Sequence, residues 1–498
     1  MGNQCAILVG GLGTRLGEKA RTTPKPLLDV GGAPFLETLL GEARRRGFDD
    51  FLLLAGHLSE AVVAFLAECD IERRFACRVE LSIEPTPLGT GGALVHVLPR
   101  LRDDFLLLNG DTWFDFNWLD LVARARRDGV DAALSLREIA EPDRYETVEL
   151  EGSMVRAIRP RGQILAAALI NGGVYYFTRR ALEESASPSS LETDVLPRLV
   201  GRGALRGYPY SGFFIDIGVP ASLAAAAELA PKHRRRPAVF LDRDGVLNID
   251  HGYVHAPEQV EWVRGAKEAV KLLNDAGYYV FVVTNQAGVA KGRYGEDAVG
   301  TLHRWMAKEL AAAGASIDDW RYCPFHPEGS VAPFRAEHDW RKPNPGMQLD
   351  LFEHWPIERE GSFLIGDKTT DIEAAEAAGV PGYLFEGGDL AAFIKRCCGS
   401  ASCGTTGRTS EGRVYMNYSR VAREAQNDSI EDIAAHARTW LFHAVAYLWK
   451  AEPGADVPLF PERLSIHGEK DVCPHRLFVQ ARHVFSYCEL GRLGWIGP

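Results

Sequence analysis

An excess of positive charge is the first thing this chain lacks: 56 Lys and Arg stand against 67 Asp and Glu, a formal net charge of −11. That balance offers no general attraction to nucleic acid or to an anionic membrane, and any anionic ligand would have to be drawn in by local basic groups. Long hydrophobic runs are missing as well, since no stretch nears the roughly 18 consecutive apolar residues of a membrane-spanning helix. The start, Met1-Gly-Asn-Gln-Cys5, has no basic segment followed by an apolar core, so neither export nor membrane insertion is expected. Cysteine is scattered, nine in 498 residues, which excludes a small secreted disulfide scaffold and favours reduced thiols in a cytoplasm. The length excludes one ordinary domain and predicts two or three compact units.

What is present is organised around Phe240-Leu-Asp242-Arg-Asp244-Gly-Val-Leu-Asn248. The apolar run Ala238–Leu241 reads as a short buried strand that delivers two carboxylates into the next turn, and Gly245 lets the backbone bend away. One carboxylate can attack phosphorus while the other moves a proton, an arrangement suited to a phosphate and Mg²⁺. A helix over Gly265–Asn274 follows, then a strand from Tyr279 that ends in Thr284, Asn285 and Gln286, whose hydroxyl and amides suit phosphate oxygens. Arg341-Lys342-Pro343 adds two cations. Gly366-Asp367-Lys368-Thr-Thr-Asp371 closes a third strand, Ser362–Ile365.

The first 230 residues carry a different pattern. The strand Cys5–Val9 runs into Gly10-Gly11-Leu-Gly13-Thr14-Arg15-Leu16, a loop whose backbone N–H groups can approach a triphosphate while Arg15 brings charge. No Gly-Lys-Ser/Thr follows, so this is not a Walker A loop. Thr23-Pro-Lys25-Pro-Leu27 holds a lysine in a stiff extended segment. Helices over Pro34–Arg46 and Leu58–Glu68 alternate with strands Phe51–Ala55 and Val79–Ile83, which predicts an α/β wrapping with a largely parallel sheet. Leu88-Gly89-Thr-Gly91-Gly92-Ala93 is a second glycine-rich turn. Asp111 follows the strand Phe105–Asn109, and Asp216 lies in Phe214-Ile-Asp216-Ile-Gly218; either acid is placed to hold Mg²⁺.

In their order, GGLGTRL, TPKPL, LGTGGAL, NGDTWF, INGGVYYF and FIDIGVP resemble the sugar-phosphate nucleotidyltransferases, most closely guanylyltransferases acting on mannose or heptose 1-phosphates, over residues 3 to 230. The resemblance implies that Gly10, Gly11, Gly13, Thr14, Arg15 and Lys25 hold the nucleotide phosphates and that Gly89, Gly91 and Gly92 lie against the base. It further implies that Asp111 and Asp216 bind metal and that Glu146 and Asn171 contact the sugar. The family's Glu-Lys pair before INGG is replaced by Arg159-Pro-Arg161, and either arginine is a candidate for the missing cation. FLDRDGVLN, HGYV, VVTNQAGVAKG, CPFHPEGS, RKPNPGM and IGDKTTDI, over 238–390, resemble the haloacid dehalogenase-like (HAD-like) phosphatases, within them those of heptose 1,7-bisphosphate. By that resemblance Asp242 is the nucleophile and Asp244 the general acid/base, Thr284 and Asn285 bind the phosphoryl group, and Lys342 neutralises it. Mg²⁺ falls to Asp242, the backbone carbonyl of Asp244, and Asp367, with Arg341 and Lys368 as further substrate contacts.

These relatives often carry a zinc loop. Here Phe325 and Trp340 stand where ligands are expected, leaving Cys323, His326 and His338, so zinc is not expected. Helical rhythm through Ala221–Leu229 stops at Pro231, and the basic run Lys232–Arg236 reads as a solvated linker. A flexible linker is expected over 396–414. The last segment, 415–498, resembles the opening of the N-acylglucosamine 2-epimerases, of whose barrel about the first eighty residues are matched. The expected architecture is α/β: a Rossmann-like nucleotidyltransferase domain (1–231), a HAD-like Rossmannoid phosphatase domain (237–395), and a short all-α fragment. The expected function is cytoplasmic and bifunctional: a heptose 1,7-bisphosphate is dephosphorylated, then a nucleotidyl group from a nucleoside triphosphate, GTP by resemblance, is transferred to the 1-phosphate. An oligomer is left open. Two alternatives remain at this point: a mannose 1-phosphate guanylyltransferase joined to a histidinol-phosphate-type phosphatase, and a regulatory sugar-nucleotide-binding protein.

Overall fold

The computed structural model describes residues 3–11, 16, 19–162 and 165–400. The expectations placed on Gly13, Thr14 and Arg15, on 401–414, and on the epimerase-like 415–498 lie outside the described residues.

Strand β1 (Asn3–Leu8) buries both faces: Cys5 and Ile7 enter one core cluster with Phe35, Leu39 and Phe51, while Ala6 enters another with Leu94 and Leu107. Such a strand needs cover on both sides of its sheet. β2 (Phe48–Ala55), β3 (Arg78–Ile83) and β4 (Asp104–Asn109) join it in parallel, in the order β3-β2-β1-β4. β5 (Thr112–Phe114) then leaves the sheet. β6 (Ala132–Ala140), β7 (Thr147–Glu151), β8 (Met154–Arg159), β9 (Ala167–Thr178) and β10 (Leu205–Tyr210) extend it to nine strands, β9 running antiparallel to both β4 and β6. The expected largely parallel sheet therefore holds for the first four strands and for the β6–β10 pair, while β7, β8 and β9 run antiparallel to their neighbours. β7 and β8 are joined through Gly152 (φ 61°) and Ser153, too short a link for a parallel crossover. β11 (Phe214–Asp216) pairs antiparallel with β5 as a separate two-stranded ribbon.

The second sheet is parallel throughout. β12 (Arg236–Leu241), β13 (Tyr279–Asn285), β14 (Asp319–Cys323), β15 (Ile357–Gly366) and β16 (Gly382–Leu384) take the order β14-β13-β12-β15-β16. Val239 and Leu241 point into one core and Ala238 and Phe240 into the other, so the central strand is apolar throughout Ala238–Leu241. All its carboxyl ends share one edge, where ligands bind in open α/β sheets.

Two boundaries differ from expectation. The helix Pro220–Arg234 runs through Pro231, whose ring packs where a Cβ on Gly31 would come within 2.3 Å of it. The basic run is solvated only in part: Lys232, Arg234 and Arg235 are exposed, but the helix runs to Arg234, and Arg236 opens β12, 7% exposed and ion-paired to Asp115. A helix over Leu390–Ser400 covers the start of the expected second linker, and Cys397 is buried in the core. Both sheets lie in one compact unit. Among the described residues no helix is long and apolar enough to cross a membrane.

Candidate active sites at two sheet edges

At the carboxyl edge of the second sheet, Asp242 leaves β12 with its amide bonded to the Ile365 carbonyl (3.0 Å), so it sits beside the end of β15. Lys342, 3% exposed, reaches in with Nζ 2.9 Å from Asp242 Oδ1 and 2.6 Å from Asp371 Oδ1. Its backbone is held from both sides by Asn285, whose Nδ2 donates to the Lys342 carbonyl and whose Oδ1 accepts from the Lys342 amide, each at 3.1 Å. Thr284, 1% exposed, accepts from Gln286 Nε2 (2.9 Å). Gly245 has φ +94°, and a Cβ there would lie 2.3 Å from Asp367 Oδ2, so glycine is required by the neighbouring carboxylate as much as by the turn.

Asp244 is locked by its surroundings. Arg243 Nη2 (2.8 Å), Asn248 Nδ2 (2.9 Å) and Gln286 Nε2 (3.0 Å) all donate to its carboxylate. Arg243 is fully buried and also donates to the Val254 carbonyl. Burial pushes the Asp242 carboxyl up to about 7 against the opposing pull of Lys342, with Asp371 and Asp244 adding to the rise. Burial disfavours the Lys342 ammonium, yet Asp242 and Asp371 outweigh it and hold its pKa above the ordinary lysine value. Asp367 is raised, first by burial.

The residues present fit a hard divalent cation. Asp242, Asp367 and Asp371 each offer an oxygen within 4.8 Å of the others. Asp242 Oδ1 and Asp367 Oδ1 are buried without a hydrogen-bond partner, the former facing Lys342 only as an ion pair. Clustered carboxylate oxygens with open lone pairs match Mg²⁺. Asp371 was not foreseen as a ligand, and the Asp244 carboxylate lies outside this group. Arg341 Nη1 reaches the Phe325 carbonyl (3.4 Å), and Lys368 Nζ lies 3.2 Å from Asp250 and 3.6 Å from Asp367. Of the residues considered for zinc, Cys323 is buried with Sγ toward the Phe325 carbonyl, His326 accepts from the Glu328 amide, and His338 stacks on Phe325 (4.3 Å).

The first sheet has its own polar edge. β1 and β4 are parallel neighbours, so the Gly10–Gly11 turn and Asp111 emerge side by side; Gly110 donates to the Leu8 carbonyl (3.0 Å). Lys25 Nζ lies 3.2 Å from Asp111 Oδ2. The β5–β11 register sets Asp216 opposite Thr112, one residue from Asp111. Asp216 accepts from the Gly218 amide (2.9 Å) and the Tyr145 hydroxyl, with Arg144 Nη2 at 3.5 Å. Asn171 is braced by the Tyr175 hydroxyl (2.7 Å) and the Gly173 amide (3.0 Å). Arg161 Nε lies 3.8 Å from Glu146, whereas Arg159 pairs with Glu149 on the exposed hairpin. Gly91 and Gly92 are buried and give their amides to the Ser189 carbonyl (2.9 and 3.0 Å); Gly89 alone of the three is exposed.

Residues 5–233 match the family model described as Nucleotidyl transferase, and residues 339–392 one described as HAD-hydrolase-like. The chain is 53% identical over 162 residues to the D-glycero-beta-D-manno-heptose-1,7-bisphosphate 7-phosphatase of Rhodopseudomonas palustris, covering 32% of this chain and 90% of that protein. It is 45% identical over 144 residues to the protein of that name from Escherichia coli K12, covering 29% of this chain and 75% of the other. Among solved structures, HddC from Yersinia pseudotuberculosis complexed with GMP-PN is similar at 27% identity and a TM-score of 0.42, over 46% of this chain and 99% of that one. The chain is both a hydrolase and a nucleotidyltransferase, and it belongs to the family of D-glycero-beta-D-manno-heptose-1,7-bisphosphate 7-phosphatases.

Proposed function

We propose that this chain catalyses consecutive steps in making a nucleotide-activated heptose, in the cytoplasm. The phosphatase site removes the 7-phosphate of D-glycero-D-manno-heptose 1,7-bisphosphate, and the transferase site joins the resulting 1-phosphate to a guanylyl group from GTP. The observation that carries the reading is the buried Asp242–Lys342–Asp371 cluster at the edge where Asp367, Thr284 and Asn285 also end.

In the phosphatase, an Asp242 oxygen attacks phosphorus and the bond from phosphorus to the sugar oxygen breaks. Asp244 gives its proton to that leaving oxygen, then takes one from the water that attacks the phospho-aspartate; inorganic phosphate leaves and Asp242 is restored. Thr284 and Asn285 contact the phosphoryl oxygens, and Lys342 offsets their charge. Asp242, Asp367 and Asp371 would hold Mg²⁺, which when bound supplies further positive charge against the phosphoryl group. Arg341 and Lys368 stand at the exposed rim as contacts for the rest of the substrate.

In the transferase, an oxygen of the sugar 1-phosphate attacks the α-phosphorus in line and pyrophosphate leaves, so no covalent enzyme intermediate is needed. Lys25, with Arg15 and the Gly10–Leu16 loop, binds the triphosphate. Asp111 and Asp216 would hold the metal, and Glu146 and Asn171 orient the sugar, with Arg161 beside Glu146 taking the place of the missing lysine. Gly89 is the member of the second glycine turn left open to the base.

A substrate panel tests the reading. Phosphate release should be fastest from the heptose bisphosphate, and pyrophosphate release fastest with the heptose 1-phosphate and GTP. Faster turnover of histidinol phosphate, together with a preference for mannose 1-phosphate, would replace it with the alternative pairing.

A further inference from the structure

The two catalytic sheets meet through a buried charged cluster. Asp115, next after β5, is surrounded by Arg46, by Arg45 (Nη2 at 3.4 Å), by His233 (Nε2 at 2.7 Å) and by Arg236 (Nη2 at 3.0 Å). Arg236 comes from the phosphatase side, as the first residue of its central strand. Arg45 reaches across in the other direction, with Nη1 3.0 Å from Asp318, whose Oδ2 accepts from the Val280 amide (2.7 Å). The Tyr279 ring lies against both guanidiniums, 5.4 Å from that of Arg45 and 5.0 Å from that of Arg236. A second patch joins Asn117 Nδ2 to Asp275 and to the Gly314 carbonyl, both at 2.8 Å, and Lys271 Nζ to Asp120 at 2.8 Å.

What this cluster grips is the far end of the ribbon that carries the transferase acids. β5 and β11 pair over only three residues each: Thr112 opposite Asp216 at one end and Phe114 opposite Phe214 at the other. Just beyond, the Asp115 amide donates to the Phe213 carbonyl (2.8 Å), and Phe213 stacks on His233 (4.3 Å). A two-stranded ribbon this short has little stability of its own, so its geometry depends on what anchors its ends. One end presents Asp111 and Asp216. The other is held by Arg45, Arg46 and His233 and, as an ion pair from the phosphatase sheet, by Arg236.

We propose that the phosphatase domain braces the transferase site, with Arg236 acting through Asp115 as a positioning residue for Asp111 and Asp216. This rests on the reading of Asp111 and Asp216 as transferase residues. It makes nucleotidyl transfer depend on the phosphatase domain, while the phosphatase site, at the opposite edge of its sheet, does not depend on the cluster.

The test is made in the full chain, where phosphate release by the same protein reports folding of the phosphatase sheet. Arg236→Met should lower kcat of pyrophosphate release about 10- to 100-fold, the cost expected of displaced reacting groups, and leave phosphate release unchanged. Amides of residues 112–116 and 213–217 should exchange faster with deuterium, and Arg236→Lys, which keeps a cation in the cage, should restore most of both. If Arg236→Met does not accumulate as folded protein, Asp115→Asn is read in the same way. Unchanged pyrophosphate release and unchanged exchange in a variant that keeps its phosphatase overturn the brace. Absence of nucleotidyl transfer from the wild-type chain would instead overturn the functional reading beneath it.

Discussion

Asp244 and Gly245 show how narrowly single residues are constrained at the phosphatase edge. Three donors fix the Asp244 carboxylate, and Asp244→Asn keeps its size but turns one accepting oxygen into an NH₂ facing donors, so it should cost some stability and lose about 10²–10⁴-fold in phosphate release. Asp242→Asn should abolish it. Gly245→Ala would place a methyl 2.3 Å from Asp367 Oδ2 in a backbone region costly for alanine, so phosphatase turnover should fall and its Mg²⁺ requirement rise while transfer persists. His303 gives a pH test of stability. Burial first, and Arg243 second, lower its pKa to about 3 from an ordinary 6.5. Between those values the unfolded chain binds the extra proton, so this contribution to stability is present above pH 6.5 and lost as pH falls towards 3. The melting temperature should drop from about pH 7 to about pH 5, and less steeply in His303→Gln; equal slopes would refute the assignment. Asp242 and Asp367 were legible because each directly follows an apolar strand, and Lys342 because it stands in a basic pair before a proline. Asp371, Arg243 and His303 were not, since an acid in a helix's first turn, an arginine between two acids and a histidine within a helix read equally well as surface residues.

At the scale of elements, apolar runs located β1 to β4, β12, β13 and β15, whereas β14 and β16, only partly buried, gave no such run. The hairpin β7–β8 and the ribbon β5–β11 were harder, being short and held by register with distant partners. Proline at 231 misled for a local reason: it sits in the last turn of an otherwise regular helix, its ring against Gly31, where one lost amide donor does not end the helix. The hairpin also separates the two arginines standing where the transferases carry a lysine. Arg159 is tied to Glu149 on the exposed surface, while Arg161 lies beside Glu146. Arg161→Ala should therefore raise KM for the sugar phosphate severalfold, roughly the loss of one charged contact, whereas Arg159→Ala should leave it unchanged. The reverse result would move the sugar site to the outer strand.

For the molecule as a whole, the basic run that reads as a linker instead joins the two sheets, a fact invisible in sequence because Asp115 lies 121 positions before Arg236. The contact uses the amino edge of the phosphatase sheet, and its site lies at the carboxyl edge, separated by a strand of six residues, roughly 20 Å. A sugar 1-phosphate released at that edge starts on the side away from this contact and is expected to pass through solvent. Added unlabelled heptose 1-phosphate should then dilute label from the bisphosphate in the final product in full proportion; retention of label would show a guarded route. The central claim, two consecutive reactions in one chain, is tested most directly by supplying heptose 1,7-bisphosphate, GTP and Mg²⁺ together and following phosphate and pyrophosphate. The account predicts that both are released by the wild type, that Asp242→Asn releases neither until heptose 1-phosphate is added and pyrophosphate returns, and that Asp111→Asn releases phosphate alone. Pyrophosphate formed from the bisphosphate by the Asp242→Asn chain, or no pyrophosphate from the wild type with either sugar, would contradict it.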